Sequence, residues 1–259
     1  MRQTIRFCSS ADGVGLAFGV HGRGPPLVRV ATWLTHLQYD WDSPLWRHWL
    51  DGLAEGRTLV RYDERGSGLS DRDVTDFSLD AWVADLEAVV DAAGLERFSL
   101  LGLSNGGAVA IAYAVRHPER VSHLVLCGAF SQGRLRRDPS SKARGEAEAL
   151  LAMIRAGWGR ANPAFRRAFT TLFVPDATHE QMEWFDELQR ISATPETAAL
   201  LRLAREEIDV TDLVGQVVTP TLVLHAQDDA AVPFEQGRGI ASAIPDARFV
   251  PVPGRNHIL

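Results

Sequence analysis

The sharpest chemical signal in the chain is a serine set between glycines, Gly102-Leu103-Ser104-Asn105-Gly106, followed by Gly107. The G-x-S-x-G spacing suits a tight turn from strand into helix, where Cβ atoms have no room and the serine hydroxyl is held exposed. A serine hydroxyl is a poor nucleophile until a base takes its proton; histidine suits that task, and a carboxylate can orient the imidazole. Downstream of Ser104 the chain offers His117, His123, His179, His225 and His257, with neighbouring carboxylates at Asp228 and Asp229. A serine activated in this way performs acyl transfer through a covalent acyl-enzyme. No metal is expected, because Cys8 and Cys127 are isolated and form neither a ligand spacing nor a disulfide framework.

The motif gains meaning from the elements around it. Residues 98–103 read as a strand and 106–115 as a buried helix of small residues. Residues 5–8 and 15–20 flank a turn as a hairpin does, and further strands are expected at 26–31, 58–62, 121–127, 221–225 and 247–252. Residues 79–93 carry apolar side chains at helical spacing, with Ser78 as N-cap. Strands alternating with helices imply an α/β fold with parallel pairing, the hairpin adding antiparallel strands at one edge. Between residues 131 and 218 the strand signal vanishes. Helical patterns at 143–158, 163–173, 179–191 and 195–207 replace it. The expected organisation is a core of residues 1–130 and 219–259, with residues 131–218 inserted as a helical cap.

Composition excludes several alternatives. Of 259 residues, 46% are hydrophobic and 23% charged, which argues against disorder and low-complexity scaffolds. The net charge is -6, and no basic stripe suggests nucleic-acid binding. Arg134, Arg136 and Arg137 read as a solvated patch. No apolar run approaches the roughly 20 residues needed to span a bilayer. With two cysteines and no apolar leader at the N-terminus, the expected location is cytoplasmic.

Four segments carry a family resemblance: Gly24-Pro25-Pro26-Leu27-Val28, the run from Tyr62 to Ser70, the Ser104 turn, and His117-Pro118-Glu119-Arg120-Val121. With these the chain resembles the α/β-hydrolase superfamily from about Gly22 onward. Residues 31–37 and 61–71 add a narrower likeness to hydrolase-type domains fused to adenylate cyclases or helix-turn-helix regulators. The resemblance implies an α/β-hydrolase fold with a mostly parallel eight-stranded sheet, a serine nucleophile, no cofactor, and the chain order serine, acid, histidine. His257 lies five residues after the last expected strand, where the family places its base. The family phrase ending in Val232-Pro233 makes Asp229 the acid and leaves Asp228 as a turn residue. The oxyanion donors implied are the backbone N–H groups of Asn105 and Trp33. Ala31-Thr32 stands where most relatives have His-Gly. Relatives also usually continue into a helix after the histidine, so the His257 loop is expected to be less restrained here.

The expectation is a serine hydrolase cleaving small to medium carboxylic esters by Ser104, Asp229 and His257. Lactone, C–C bond and peracid chemistry share this triad, and a ligand-sensing module with slow or no turnover is the alternative from another class. The partner is a small-molecule ester. Trp33, Trp158, Phe173 and Trp184 are candidates for the substrate pocket, whereas Trp41, Trp46 and Trp49 read as packing. Asp63 and Arg65 read as a turn-fixing pair.

Overall fold

The computed structural model describes residues 3–259. The chain begins with a hairpin of β1 (Thr4–Ser9) and β2 (Gly15–Gly22), whose turn is closed by Gly13 at φ 89°. It continues through β3 (Pro26–Arg29), α1 (Leu37–Trp41), α2 (Arg47–Ala54), β4 (Thr58–Tyr62), α3 (Leu79–Ala92), β5 (Phe98–Leu103), α4 (Gly106–Arg116) and β6 (Val121–Cys127). Six helices follow: α5 (Arg134–Arg137), α6 (Ser141–Gly157), α7 (Ala164–Phe173), α8 (His179–Ser192), α9 (Pro195–Glu206) and α10 (Thr211–Val214). The chain then returns to the sheet with β7 (Thr221–Ala226), α11 (Phe234–Ala243) and β8 (Arg248–Val252).

The eight strands form one sheet in the order β1-β2-β4-β3-β5-β6-β7-β8. β1 and β2 pair antiparallel, as do β2 and β4, and every later pairing is parallel. The central strand β5 shows why the sheet needs helices on both faces. Phe98 and Leu100 pack into the cluster that holds α3 and α4, while Leu101 and Leu103 point the other way, toward Trp46 and Leu50 of the α2 region. α3 begins as expected, with the Ser78 hydroxyl accepting from the Ala81 N–H. α1, α2, α5, α10 and α11 went unread in the sequence, being short or lying in stretches that read as loops.

Residues 131–218 hold no strand, only an isolated bridge between Gln132 and Asp209. The helices there are capped by side chains: Ser140 for α6, Thr178 with Gln181 in a reciprocal box for α8, and Thr194 for α9. Trp158 stacks on Trp33 of the core at 5.7 Å, with Phe169 edge-on to both. This aromatic layer joins the helical segment to the loop after β3.

Asp63 and Arg65 are both fully buried, but they do not pair with each other. Asp63 accepts the N–H groups of Leu37 and Leu69, fixing the loop after β3. Arg65 instead makes a bidentate ion pair with Asp85 of α3, at 2.6 and 2.7 Å.

Candidate active site

Each element of the site lies just beyond the carboxyl end of a parallel strand, where backbone groups leave the ladder. Ser104 directly follows β5 with φ 51°, a left-handed conformation costing an L-residue roughly 1–2 kcal/mol. Close helix packing holds it there. A Cβ on Gly102 would sit 2.7 Å from the Gly107 Cα, and one on Gly107 would sit 2.4 Å from the Ala129 Cβ. Glycine at these positions lets α4 start directly against β5 and β6. The Ser104 N–H donates to the Cys127 carbonyl at 3.0 Å, fixing the turn to the neighbouring strand.

Asp229 follows β7 and its carboxylate is almost wholly buried. One oxygen, Oδ1, accepts the N–H groups of Ala231 and Val232 at 2.8 and 2.9 Å. The other, Oδ2, lies 2.7 Å from the His257 Nδ1. Burial alone pushes this carboxyl up, but His257 and the two N–H donors more than offset it, so the group stays below the usual carboxylate range. It is therefore ionised at neutral pH and holds His257 with Nδ1 protonated, leaving Nε2 as the basic nitrogen. Asp228, by contrast, is exposed, and its N–H donates to the Gly254 carbonyl.

His257 lies over Gly128, whose φ is 56° and whose missing Cβ would come within 3.0 Å of the His257 Cε1. Its N–H donates to the Phe173 carbonyl of α7 at 2.9 Å, and the two rings lie 5.6 Å apart. Asn256 accepts from the Asp176 N–H, Arg255 pairs with Asp176, and the Trp49 indole donates to the Leu259 carbonyl. The histidine loop is thus tied to the helical segment on one side and to α2 on the other. This reverses the expectation of a loosely held loop. His257 Nε2 is buried and makes no hydrogen bond, to Ser104 or to any other described residue.

Ser104 and His257 line one cavity of about 100 Å³, smaller than the roughly 300–1,000 Å³ of drug-sized ligand sites. Of the aromatic candidates, Trp33 and Phe173 line it. Trp158 lies behind Trp33, and Trp184 stacks on Tyr39 at 4.9 Å away from the cavity. Trp46 and Trp49, read as packing, reach the wall instead. Cys127 also lines the cavity, but burial pushes its thiol up to about 12, so it stays protonated and is no rival nucleophile.

The oxyanion region holds an arrangement the sequence did not announce. The Asn105 side chain is buried, and its Oδ1 accepts both the Thr32 hydroxyl, at 3.0 Å, and the Trp33 N–H, at 3.1 Å. Among the described residues, the Asn105 N–H has no backbone acceptor, whereas the Trp33 N–H is already engaged. His225 was missed as a supporting group. It is fully buried, 3.5 Å from the Asp229 Oδ2, and its Nε2 lies 3.1 Å from the Val232 carbonyl. Burial pushes its pKa down, so it stays neutral beneath the acid. Gly237, whose Cβ would lie 2.3 Å from the His225 Nδ1, makes room for it.

Residues 25–259 match the family described as alpha/beta hydrolase fold. A protein of Azorhizobium caulinodans provisionally named carbamate hydrolase RutD is 29% identical over 243 residues, covering 92% of this chain and 86% of that protein. A 2-hydroxymuconate semialdehyde hydrolase of Pseudomonas sp. is 28% identical, covering 89% and 76%. Among solved structures, a thermophilic esterase from Thermogutta terrifontis superposes with a TM-score of 0.78 at 26% identity, covering all of this chain and 92% of its own.

Proposed function

The chain belongs to the α/β-hydrolase family, and from that premise we propose that it is a serine hydrolase of small carboxylic esters, with Ser104 as nucleophile, His257 as base and Asp229 as the acid that orients it. The observation that carries the reading is a serine held at positive φ, sharing one cavity with an imidazole that a buried carboxylate fixes at 2.7 Å. Residues 131–218 act as the cap, supplying Phe173 to the cavity wall and to the histidine loop.

The Ser104 Oγ attacks the ester carbonyl while its proton passes to His257 Nε2. The imidazolium so formed is stabilised by the Asp229 carboxylate. Negative charge develops on the former carbonyl oxygen, to which the Asn105 N–H is the unengaged donor. The Trp33 N–H joins it when the oxyanion displaces the Asn105 Oδ1. Collapse breaks the ester bond, and His257 returns the proton to the departing alkoxide. Water, deprotonated by His257, then attacks the acyl-serine, and Ser104 leaves with the proton restored.

The ligand-sensing alternative draws on one observation, the Trp33 N–H already occupied by Asn105. A fluorophosphonate probe and p-nitrophenyl butyrate separate the two readings. The hydrolase turns over many times per labelled Ser104, and Ser104→Ala loses both labelling and turnover, by about 10⁴-fold or more. A single burst with a persistent acyl adduct would favour the sensor, and labelling that survives Ser104→Ala would remove Ser104 from the mechanism.

A further inference from the structure

We infer that the cavity above Ser104 takes a substrate carrying a carboxylate, with Arg137 as the group that binds it. The inference rests on the hydrolase reading and narrows its substrate to a short ester with an anionic end.

The argument starts from the charges on the cavity wall. α5 contributes Arg134 and Arg137, and α9 contributes Arg202, Arg205 and Glu206, to the same cavity that Ser104 lines. Three of the four guanidinium groups have carboxylate partners. Arg205 holds Glu64 at 2.5 Å, Arg202 holds Glu206 at 2.5 Å, and Arg134 pairs with Glu146. Arg137 has none within ion-pair distance among the described residues. Its one hydrogen bond is from Nη1 to the Gln132 carbonyl, at 2.8 Å. The wall therefore carries one uncompensated positive charge.

Partial burial pushes the Arg137 guanidinium down, with Glu206 partly offsetting this. A structural arginine in this fold is satisfied differently. Arg166 is buried with carbonyls of Trp158, Arg160 and Asp186 on its nitrogens. Arg137 keeps most of its five donors free, and a carboxylate matches that planar fork with two parallel hydrogen bonds. The Nε atoms of Arg202 and Arg205 are also buried without partners, so the wall has further donors to spare. Beside them the Glu206 Oε2 is a spare acceptor, whose repulsion of an anion is reduced by Arg202 on the other oxygen. Of the arginines read as a solvated patch, Arg136 is exposed and pairs with Glu207, while Arg134 and Arg137 are half-buried and also line the cavity. Arg137 is half-buried, so with a neutral acyl chain its free donors are left to water, whereas a terminal carboxylate meets them with two charge-assisted hydrogen bonds. The small cavity limits the chain to a few carbons.

The test compares monomethyl glutarate with methyl valerate, which replaces the carboxylate by a methyl group, using acid release in a pH-stat. Butyryl glycolate places the anion on the alcohol side and shows which half of the ester reaches Arg137. At least one anionic ester is expected to exceed methyl valerate in kcat/KM by tenfold or more, and Arg137→Met to lower that ratio at least tenfold. Arg144→Met, an exposed charge outside the cavity, controls for net charge and leaves the ratio unmoved. A parent ratio near one, or a ratio unmoved by Arg137→Met, overturns the inference and leaves the hydrolase reading standing. If none of the esters is turned over, calorimetric titration of Ser104→Ala with monomethyl glutarate decides. Binding that weakens at least tenfold on adding Arg137→Met keeps the anion site while the hydrolase reading falls, and binding indifferent to Arg137 overturns the site as well.

Discussion

Replacing Asp229 by asparagine isolates the acid's charge from its shape. The Asn Oδ1 can still accept the Ala231 and Val232 N–H groups, so the loop after β7 keeps its fold. What changes is the contact with His257. The carboxamide nitrogen would face the His257 Nδ1, 2.7 Å away, and two N–H donors cannot share that line. The imidazole must then carry its proton on Nε2 and cannot accept one from Ser104. The imidazolium of the transition state also loses its counter-charge. At an effective dielectric of about 20 and a charge separation of about 3–4 Å, that attraction amounts to about 4–6 kcal/mol, or three to four powers of ten in rate. Asp228→Asn, at an exposed side chain, should change kcat/KM by less than about threefold. The assay is steady-state hydrolysis of p-nitrophenyl butyrate near neutral pH, with thermal melting to show that both variants fold. A loss below tenfold in Asp229→Asn, or a larger loss in Asp228→Asn, would refute the assignment.

Three further outcomes follow from the geometry. Gly128→Ala places a Cβ within 3.0 Å of the His257 Cε1 at a left-handed φ, so kcat should fall at least tenfold and the melting temperature by several degrees; parent-like kinetics would show that the imidazole is not held against Gly128. Asn105→Ala frees the Trp33 N–H but unbraces the Thr32–Trp33 loop, and because the brace positions both donors, kcat is expected to drop about tenfold with KM little changed; a rise in kcat would show instead that Asn105 obstructs the oxyanion. Asp40 is buried and its pKa is raised to about 6 by desolvation, with Arg61 and Arg29 opposing. The folded state therefore binds this proton more tightly than the unfolded chain, and Asp40 costs stability as pH rises from about 4 to 6. The melting temperature of Asp40→Asn relative to the parent should climb by a few degrees across that window, and a flat difference would contradict the buried-acid reading.

The strand framework was legible because β4, β5 and β6 bury both faces and read as short apolar runs between turns. Ser104 was legible because its turn demands glycine at three nearby positions, a constraint written in residue identity. His257 was read from its place after the last expected strand, because a loop histidine has no local signature, and Asp229 from the family phrase ending in Val232-Pro233. The wall residues were harder still. Trp158 caps the end of α6 and Trp184 lies on α8, and which side of each turns inward depends on packing between helices. That Arg137 also lines the cavity was hidden for a related reason. A run of arginines on a four-residue helix looks solvated, and only the fold shows that Arg134 and Arg137 turn to the cavity while Arg136 turns to Glu207.

The ties between the histidine loop and the helical segment bear on what the cap does. Phe173 gives its side chain to the cavity wall and its carbonyl to the N–H of His257, and Asp176 just after it holds Asn256 and Arg255. A movement of α7 that opens the cavity would therefore pull on the base itself. The Asp229 contact sets the imidazole's tautomer from the sheet side, while the Phe173 carbonyl sets the position of its backbone from the cap side. The His257 Nε2 itself is buried and without a hydrogen-bond partner among the described residues. Phe173 thus touches both the cavity, through its side chain, and the His257 backbone, through its carbonyl, so a change at this one residue reaches both.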